Sequence, residues 1–469
     1  MSTTQGFSDI VIGTQYGDEG KARVVDDKAQ NYDIIARFNG GANAGHTIVY
    51  KGQKVALKQV PSAVFYPEKQ MYVGSGCVIN IAKLKDEIDN LKPAGISLAD
   101  RFHLSAQAGV IQPHHILIDA MIGGKVGTTK NGIGPAYADR ALRMWDDRLL
   151  NIRLGDLLED REKYFQIMAA NSQFIAKTHG LEFDATPEIE QMRQSLDHIA
   201  PFIEKDTLYL QRQVQNGKTV LFEGAQAFML DVNKGSVPFV TSSGTTAAAA
   251  YTGGDLSPNF HRKTIGIAKA LMSRVGHGPF TSEFGGTASE NYCMAQDAEG
   301  NSLHSREVEA TYNLEQMIAS DDPLEVGKAL RILSAEYGTV TGRPRRIGAL
   351  DLVQLAYAVK TNGVNSLVLT KCDLLREFSR TASGKLPLVV AYELDGQRID
   401  YVPGSTATYA RVKPVYEYLD GFSEDISHCR TAAELPTSLL QMIERTEQIT
   451  GAKVEGLGVG PDREQYVGI

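Results

Sequence analysis

Short apolar runs that stop at glycine-rich polar stretches recur along the chain. The first, Asp9-Ile10-Val11-Ile12, has the β-branched composition of a buried strand and opens onto Gly13-Thr14-Gln15-Tyr16-Gly17-Asp18-Glu19-Gly20-Lys21. Residues 33–38 read as a second strand, with a short helix over residues 23–30 between them, and this βαβ unit delivers Gly40-Gly41-Ala42-Asn43-Ala44-Gly45-His46-Thr47. Residues 51–73 read as hairpin strands. Ile79, Ile81, Leu84, Ile88 and Leu91 then recur at helical spacing, with Asn80 as the cap. Residues 123–135 carry too many glycines for an element interior and read as a flexible binding loop, leading into Tyr137-Ala138-Asp139-Arg140-Ala141-Leu142-Arg143, where a helix would put both arginines on one face. Residues 157–216 are mostly helical, broken at Gly180 and restarted at Thr186-Pro187, with the threonine as cap and the proline in first position.

Three later runs, residues 219–222, 263–268 and 366–370, read as buried strands. Two of them end in polar groups, Glu223-Gly224-Ala225-Gln226 and Lys371-Cys372-Asp373, and strand ends are where α/β sheets gather ligands. The polar stretch 285–335, helical over 324–333, reads as an inserted surface element. Thr431-x-x-Glu434 resembles a capping box before a helix that ends at Gly451.

Composition narrows the function classes. Hydrophobic and charged contents of 42% and 22% are those of an ordinary globular protein, and no segment approaches the roughly 18 apolar residues of a membrane span. The net charge of −8 argues against a broad nucleic-acid surface but not against small anions. Cys77, Cys293, Cys372 and Cys429 are scattered without a C-x-x-C pair, which suits free thiols in a reducing compartment, and residues 1–8 show no signal-peptide pattern. A cytoplasmic location is expected.

The candidate chemistry lies in the loops. Glycines in residues 13–21 allow backbone N–H groups, a helix N-terminus and Lys21 to converge on a phosphate. Asp18 and Glu19 make sense there if a divalent cation bridges them or if one takes a proton. The spacing is not that of a P-loop, since Gly13 and Gly20 lie too far apart and Ala22 follows the lysine. In the second loop Asn43 offers donor and acceptor, and His46 is a titratable acid or base. Both loops also suit tight strand-end turns. Residues 238–246 are rich in hydroxyls, fitting a phosphate, a sugar or a hydroxyl-stabilised turn. Arg343, Arg345 and Arg346 form either a bidentate anion site or a solvated basic loop, and Lys371 with Asp373 fits guanine reading.

Taken together, the stretches resemble one family, adenylosuccinate synthetase. GTQYGDEGK resembles its opening loop, NAGHT is identical to its second, GTTKNGIGPAYADRA resembles its third, and LFEGAQ, PFVTSS, TGRPRR, TKCD and GVGPDR follow in order across most of the chain. The resemblance implies an α/β enzyme in a single domain spanning residues 1–469, with a large, mostly parallel central sheet flanked by helices and a P-loop-NTPase-like core with long active-site loops. Such an enzyme joins L-aspartate to IMP with GTP as co-substrate and Mg2+ as cofactor, as a homodimer.

Matched residue by residue, the resemblance makes Asp18 the general base and a magnesium ligand, His46 the acid, and Lys21 and Gln226 their catalytic partners. IMP would meet Asp18, Lys21, Asn43, His46, Thr129, Gln226, Thr241 and Arg343, with Arg143 reaching across from the partner subunit. Aspartate would meet Thr339, Val340, Thr341, Arg343 and Arg345. GTP would meet Gly17, Glu19, Gly20, Lys21, Gly45, His46, Thr47, Arg345, Lys371, Asp373, Gly458 and Gly460, and the Gly45 carbonyl would join Asp18 on the metal.

The chain departs from the family pattern at Ala22-Arg23, Ala42, Asn131, Gly244 and Val340, where the lost hydroxyl could cost on the order of 1 kcal/mol of aspartate binding. Two alternatives stand beside this reading. One is a relative that aminates a 2-amino purine nucleotide such as dGMP, with ATP, and it fits less well because Asp18 and Asp373 are both present. The other is a silent nucleotide-binding regulator, which predicts a broken Asp18/His46 pair.

Overall fold

The computed structural model describes residues 5–50, 53–126, 128–298, 301–338 and 342–469. Its centre is a ten-stranded sheet. In chain order the strands are β1 (Ser8–Gly13), β2 (Ile34–Arg37), β3 (Gln70–Val73), β4 (Phe102–Ser105), β5 (Ile203–Glu204), β6 (Val220–Glu223), β7 (His261–Lys269), β8 (Ser366–Thr370), β9 (Lys453–Gly458) and β10 (Tyr466–Gly468). They lie side by side as β5-β4-β3-β2-β6-β1-β7-β8-β9-β10, and every neighbouring pair is parallel except β9 with β10. Successive side chains of a strand point to opposite faces, and here both faces are covered: Ile10 and Ile12 pack in one core cluster with Phe222 and Leu367, while Val11 packs in the other with Ile35, Leu221 and Val368.

The expected α/β architecture is present, with local differences. β1 and β2 are parallel but not adjacent, because β6 pairs with both and lies between them. The hairpin in residues 51–73 is instead built from His46–Tyr50 and Gln53–Leu57, and Gln70–Val73 joins the main sheet. The glycine-rich stretch is a loop only in part: the helix Pro113–Val126 runs into it and the helix Ile133–Leu142 begins before its end. Arg143 lies beyond that second helix with φ 68°, so it shares no helix face with Arg140. Ala185, not Thr186, occupies the cap position of Thr186–Ile199. The Thr431/Glu434 capping box serves the short turn Ala432–Glu434, and the helix that stops at Gly451 starts at Thr437. Asn80 caps Ile81–Leu91 as expected, accepting from Lys83 N at 3.0 Å. Residues 285–335 fold into the helices Gly286–Met294, Arg306–Glu309, Leu314–Ile318 and Pro323–Leu333, whose Ile318, Ala329 and Leu330 join the main core.

Candidate active site

The first loop leaves β1 and is pinned to β7. Gln15 and Lys269 exchange two hydrogen bonds, Lys269 N to Gln15 Oε1 at 2.9 Å and Gln15 Nε2 to Lys269 O at 3.0 Å, and Thr14 N donates to Ile267 O. Glu19 is fully buried within the loop. Its Oε1 accepts from Gly17 N at 2.8 Å and Gln15 N at 3.2 Å, and its Oε2 lies 2.6 Å from Lys21 Nζ. The loop is therefore an anion cradle that its own carboxylate fills. A Cβ at Gly13 would fall 2.4 Å from Glu19 Oε2 and would displace the Glu19–Lys21 pair from its place in the loop. Gly17 and Gly20 take φ of 95° and 83°, the left-handed region that glycine occupies without strain.

Asp18 behaves differently from its neighbour. Its backbone is left-handed at φ 56°, its side chain is 45% exposed, and its Oδ2 lies 2.5 Å from Arg345 Nη2. Burial raises its carboxyl, but the charges of Arg345, Lys269, Lys21 and Lys371 together hold it below the usual carboxylate range. Asp18 is thus a carboxylate held in its ionised form by a ring of cations.

The second loop follows β2 and is fixed to the end of β6, where Asn39 and Ala225 exchange hydrogen bonds at 2.9 and 3.2 Å. His46 Nδ1 bonds the buried Glu223 carboxylate, whose oxygens also accept from Ser62 Oγ at 2.6 Å and Ser62 N at 2.8 Å. Burial lowers the His46 ionisation and Glu223 opposes it, while Glu223 itself is pulled down to about 2, against its own burial, by His46, Arg37 and Ser62. Asn43 Oδ1 accepts from Gly41 N at 3.1 Å, and Gly45 and Thr47 are exposed. Gln226 carries a left-handed φ of 57°, and its buried Oε1 has no hydrogen-bond partner among the described residues.

A charge network extends from Asp18. Arg345 Nη1 lies 2.5 Å from Glu336 Oε2, Glu336 also accepts from Ser273 Oγ at 2.8 Å, and its other oxygen pairs with Lys371. Lys269 is fully buried at the end of β7, donates to Gly17 O at 3.1 Å, and is lowered to about 8 by burial and then by Arg345. Asp373 follows β8 on the turn Cys372–Arg380, its carboxyl raised by burial against the pull of Lys371, Arg376 and Arg23. Arg23 donates to Gly460 O and to Gln465 O, holding the turn beyond Gly458.

Other expected site residues reach these loops only through a neighbour, Asn131 Nδ2 bonding Ala42 O at 3.4 Å and Met229 N bonding Gln15 O at 3.0 Å, or are not described. Thr129 is exposed, its hydroxyl accepting from Asn131 Nδ2 at 3.0 Å, and Arg143 is exposed. Thr241 is half-buried and donates its N–H to Leu230 O at 2.8 Å. Thr339, Val340 and Thr341 fall outside the described residues. Of the three clustered arginines, Arg346 does not face the site: it is buried on Glu283, with Nη2 2.5 Å from Oε2. The sequence reading placed Glu223 at a ligand-gathering strand end without giving it a role, and missed Ser62, Lys269 and Glu336 as members of this constellation. Glu223 and Lys269 had one visible signal, a charge closing an otherwise apolar strand.

Mg2+ takes oxygen ligands, usually one or two carboxylates plus substrate phosphates. The ionised, half-open Asp18 carboxylate and the exposed Gly45 fit that donor set. Among the described residues one other cluster gathers ligand-type atoms, His114, His115 and Asp139. His115 Nδ1 accepts the Gln112 N–H at 3.0 Å, so Nε2 carries the proton and donates to Asp139 at 3.0 Å. That tautomer leaves His115 no lone pair for a metal.

The profile of the adenylosuccinate synthetase family matches residues 10–467. The chain belongs to that family. It is 42% identical over 464 residues to adenylosuccinate synthetase 2 of Cupriavidus pinatubonensis, covering 99% of this chain and 98% of that one, and 36% identical to the enzyme of Kineococcus radiotolerans, covering 98% and 97%. Among solved structures, fully ligated adenylosuccinate synthetase from Plasmodium falciparum superposes with a TM-score of 0.83 at 30% identity, over 99% of this chain and 100% of that one. Cyanophage S-2L succinoaminodeoxyadenylate synthetase, bound to dGMP and dATP, matches at a TM-score of 0.58 and 17% identity, which is a likeness of fold. The chain is accordingly a ligase that forms a C–N bond between L-aspartate and IMP, with GTP as co-substrate and Mg2+ as cofactor.

Proposed function

We propose that the Asp18 and His46 loops carry out that ligation in two steps. Asp18 takes the N1 proton of IMP, and the electron pair released onto O6 attacks the γ-phosphorus of GTP, giving 6-phosphoryl-IMP and GDP. The amine of aspartate then attacks C6, and phosphate leaves with the O6 oxygen. His46, oriented by Glu223, stabilises charge on the transferring phosphoryl group, and each such positioned group contributes roughly 10²–10⁴-fold. Lys21 and the N–H groups of the first loop hold phosphate, and Gln226 offers its free carbonyl to the purine. Asp18 and the Gly45 carbonyl would hold Mg2+, which would neutralise phosphate charge when bound.

The remaining assignments follow the same reading. Asn43, Thr129, Thr241 and Arg343 bind IMP, residues 339–345 bind aspartate, and Lys371 and Asp373 read guanine beside Gly458 and Gly460. The protein works in the cytoplasm as a homodimer in which Arg143 serves the neighbouring site. Exposed Leu142, Met144, Trp145, Met121 and Ile122 lie close to Arg143 in the chain or on the helix packed against its own, and they suit burial against a second copy.

The observation that carries the mechanism is the ionised Asp18 carboxylate on Arg345. Mixing the protein with IMP, GTP, Mg2+ and aspartate should give the ultraviolet absorbance rise of adenylosuccinate. Product with dGMP and none with IMP would overturn the acceptor, and no product with either would favour a regulator.

A further inference from the structure

The helices of residues 285–335 reach back to the loop that carries Arg343 and Arg345. Arg331 and Glu309 are 1% and 0% exposed and form a buried pair, Nη2 to Oε1 at 2.6 Å and Nε to Oε2 at 3.0 Å. The bonds left over go to the two ends of the loop. Arg331 Nη1 donates to the Arg345 carbonyl at 3.2 Å, and Glu309 Oε2 accepts from Tyr337 Oη at 2.5 Å. A third contact falls on the loop itself: in the amide orientation that satisfies both groups, the exposed Gln296 side-chain carbonyl accepts from the Arg343 guanidinium, at 3.2 Å from Nη1. The loop is closed at its base by Arg345 N to Glu336 O at 2.9 Å and Gly338 N to Arg343 O at 2.8 Å.

A buried ion pair is a poor source of stability, since apolar residues of the same volume often do as well. What apolar residues cannot do is fix a carbonyl and a hydroxyl at set positions, and a fully satisfied polar network does that. We infer that residues 285–335 supply positioning residues for the arginine loop: Glu309 and Arg331 hold its described ends at Tyr337 and Arg345, Gln296 sets Arg343, and together they tune how the site takes the carboxylates of aspartate. This rests on the reading of Arg343 and Arg345 as aspartate-binding residues.

Two variants of the full chain test it, by steady-state kinetics in each substrate. Gln296→Glu, at an exposed position, sets a competing carboxylate against Arg343; the KM for aspartate should rise about tenfold, the effect of one charge-assisted hydrogen bond, and the KM for IMP, which Arg343 also meets, should rise with it, while the KM for GTP and kcat at saturating aspartate and IMP stay within about twofold. The double variant Glu309→Leu/Arg331→Met removes the pair without stranding a charge, and should melt near the wild-type temperature yet show the same selective rise. Folded variants with an unchanged KM for aspartate would overturn the inference, and if the double variant does not fold, Gln296→Glu decides. A wild-type protein without aspartate-dependent turnover would instead refute the reading of the loop, and the inference with it.

Discussion

Arg345 places Nη2 2.5 Å from the Asp18 carboxylate. The contact favours the ionised form of Asp18, so the proposed base is already paired before substrate arrives. Asp18→Ala removes the proton acceptor and the charge that Arg345 faces. We expect kcat to fall by at least about 10³-fold while circular dichroism and the melting temperature stay near wild type, since the side chain is half exposed. An active Asp18→Ala enzyme would eliminate the mechanism.

Glu223 holds His46 from behind, and the direction of its effect is fixed. Burial pushes the imidazole toward its neutral form and Glu223 pushes it back. In Glu223→Gln the second influence is gone, so the protonated form survives only to lower pH. The loss of kcat on the alkaline side should therefore begin at lower pH than in wild type, with a fall at the optimum of roughly 10–100-fold, as for other residues that orient a reacting imidazole. A pH–kcat profile superimposable on the wild type would sink the role given to Glu223.

Guanine reading places a carboxylate acceptor opposite two donors, N1–H and the 2-amino group. Asp373→Asn turns one acceptor into a donor, which suits the 2-oxo group of xanthine. The KM for GTP should rise roughly 10- to 100-fold while xanthosine triphosphate becomes the better donor. Equal use of both triphosphates by the variant would show that Asp373 does not touch the base.

Sharing of sites in a dimer predicts complementation. Asp18→Ala and Arg143→Ala homodimers should each be almost inactive, and a mixture allowed to exchange subunits should regain activity, because hybrid dimers contain one site with both residues intact. No recovery despite exchange, followed by light scattering and native mass spectrometry, would place Arg143 in its own subunit's site or outside any.

Acid stability carries the signature of His115. Its folded pKa is lowered to about 4 by burial, against an ordinary 6.5, so between these values the unfolded chain binds a proton that the folded chain does not. Stability should fall as pH drops from about 6.5 toward 4. His115→Asn should have a lower melting temperature at neutral pH and a shallower decline on acidification; a decline as steep as wild type would mean that other groups set it.

The strands at residues 8–13 and 366–370 were legible because β-branched runs bounded by polar stretches leave few other structures open. Their loops were legible by residue type, and the family likeness tied them together. The reading of residues 123–135 as loop went too far because glycines at a helix end, and Pro135 in a helix's first turn, are tolerated once the remaining residues pack. The placement of Arg140 and Arg143 on one face failed on a single left-handed residue. The role of Glu223, together with Lys269 and Glu336, escaped for a different reason. Ser62 and Glu223 are 161 residues apart, Gln15 and Lys269 254, and Ser273 and Glu336 63, and no local pattern encodes a partner at such separations.

The Glu19 carboxylate in the cradle of the first loop turns nucleotide capture into a swap. On the proposed reading of this loop, an incoming phosphate would have to displace a tethered rival from Gly17 N, Gln15 N and Lys21, and the same rival would return as GDP leaves. Net grip on the nucleotide would then be the difference between two anions for one set of donors. The loop never has to collapse between cycles, because it is never without a charge to wrap.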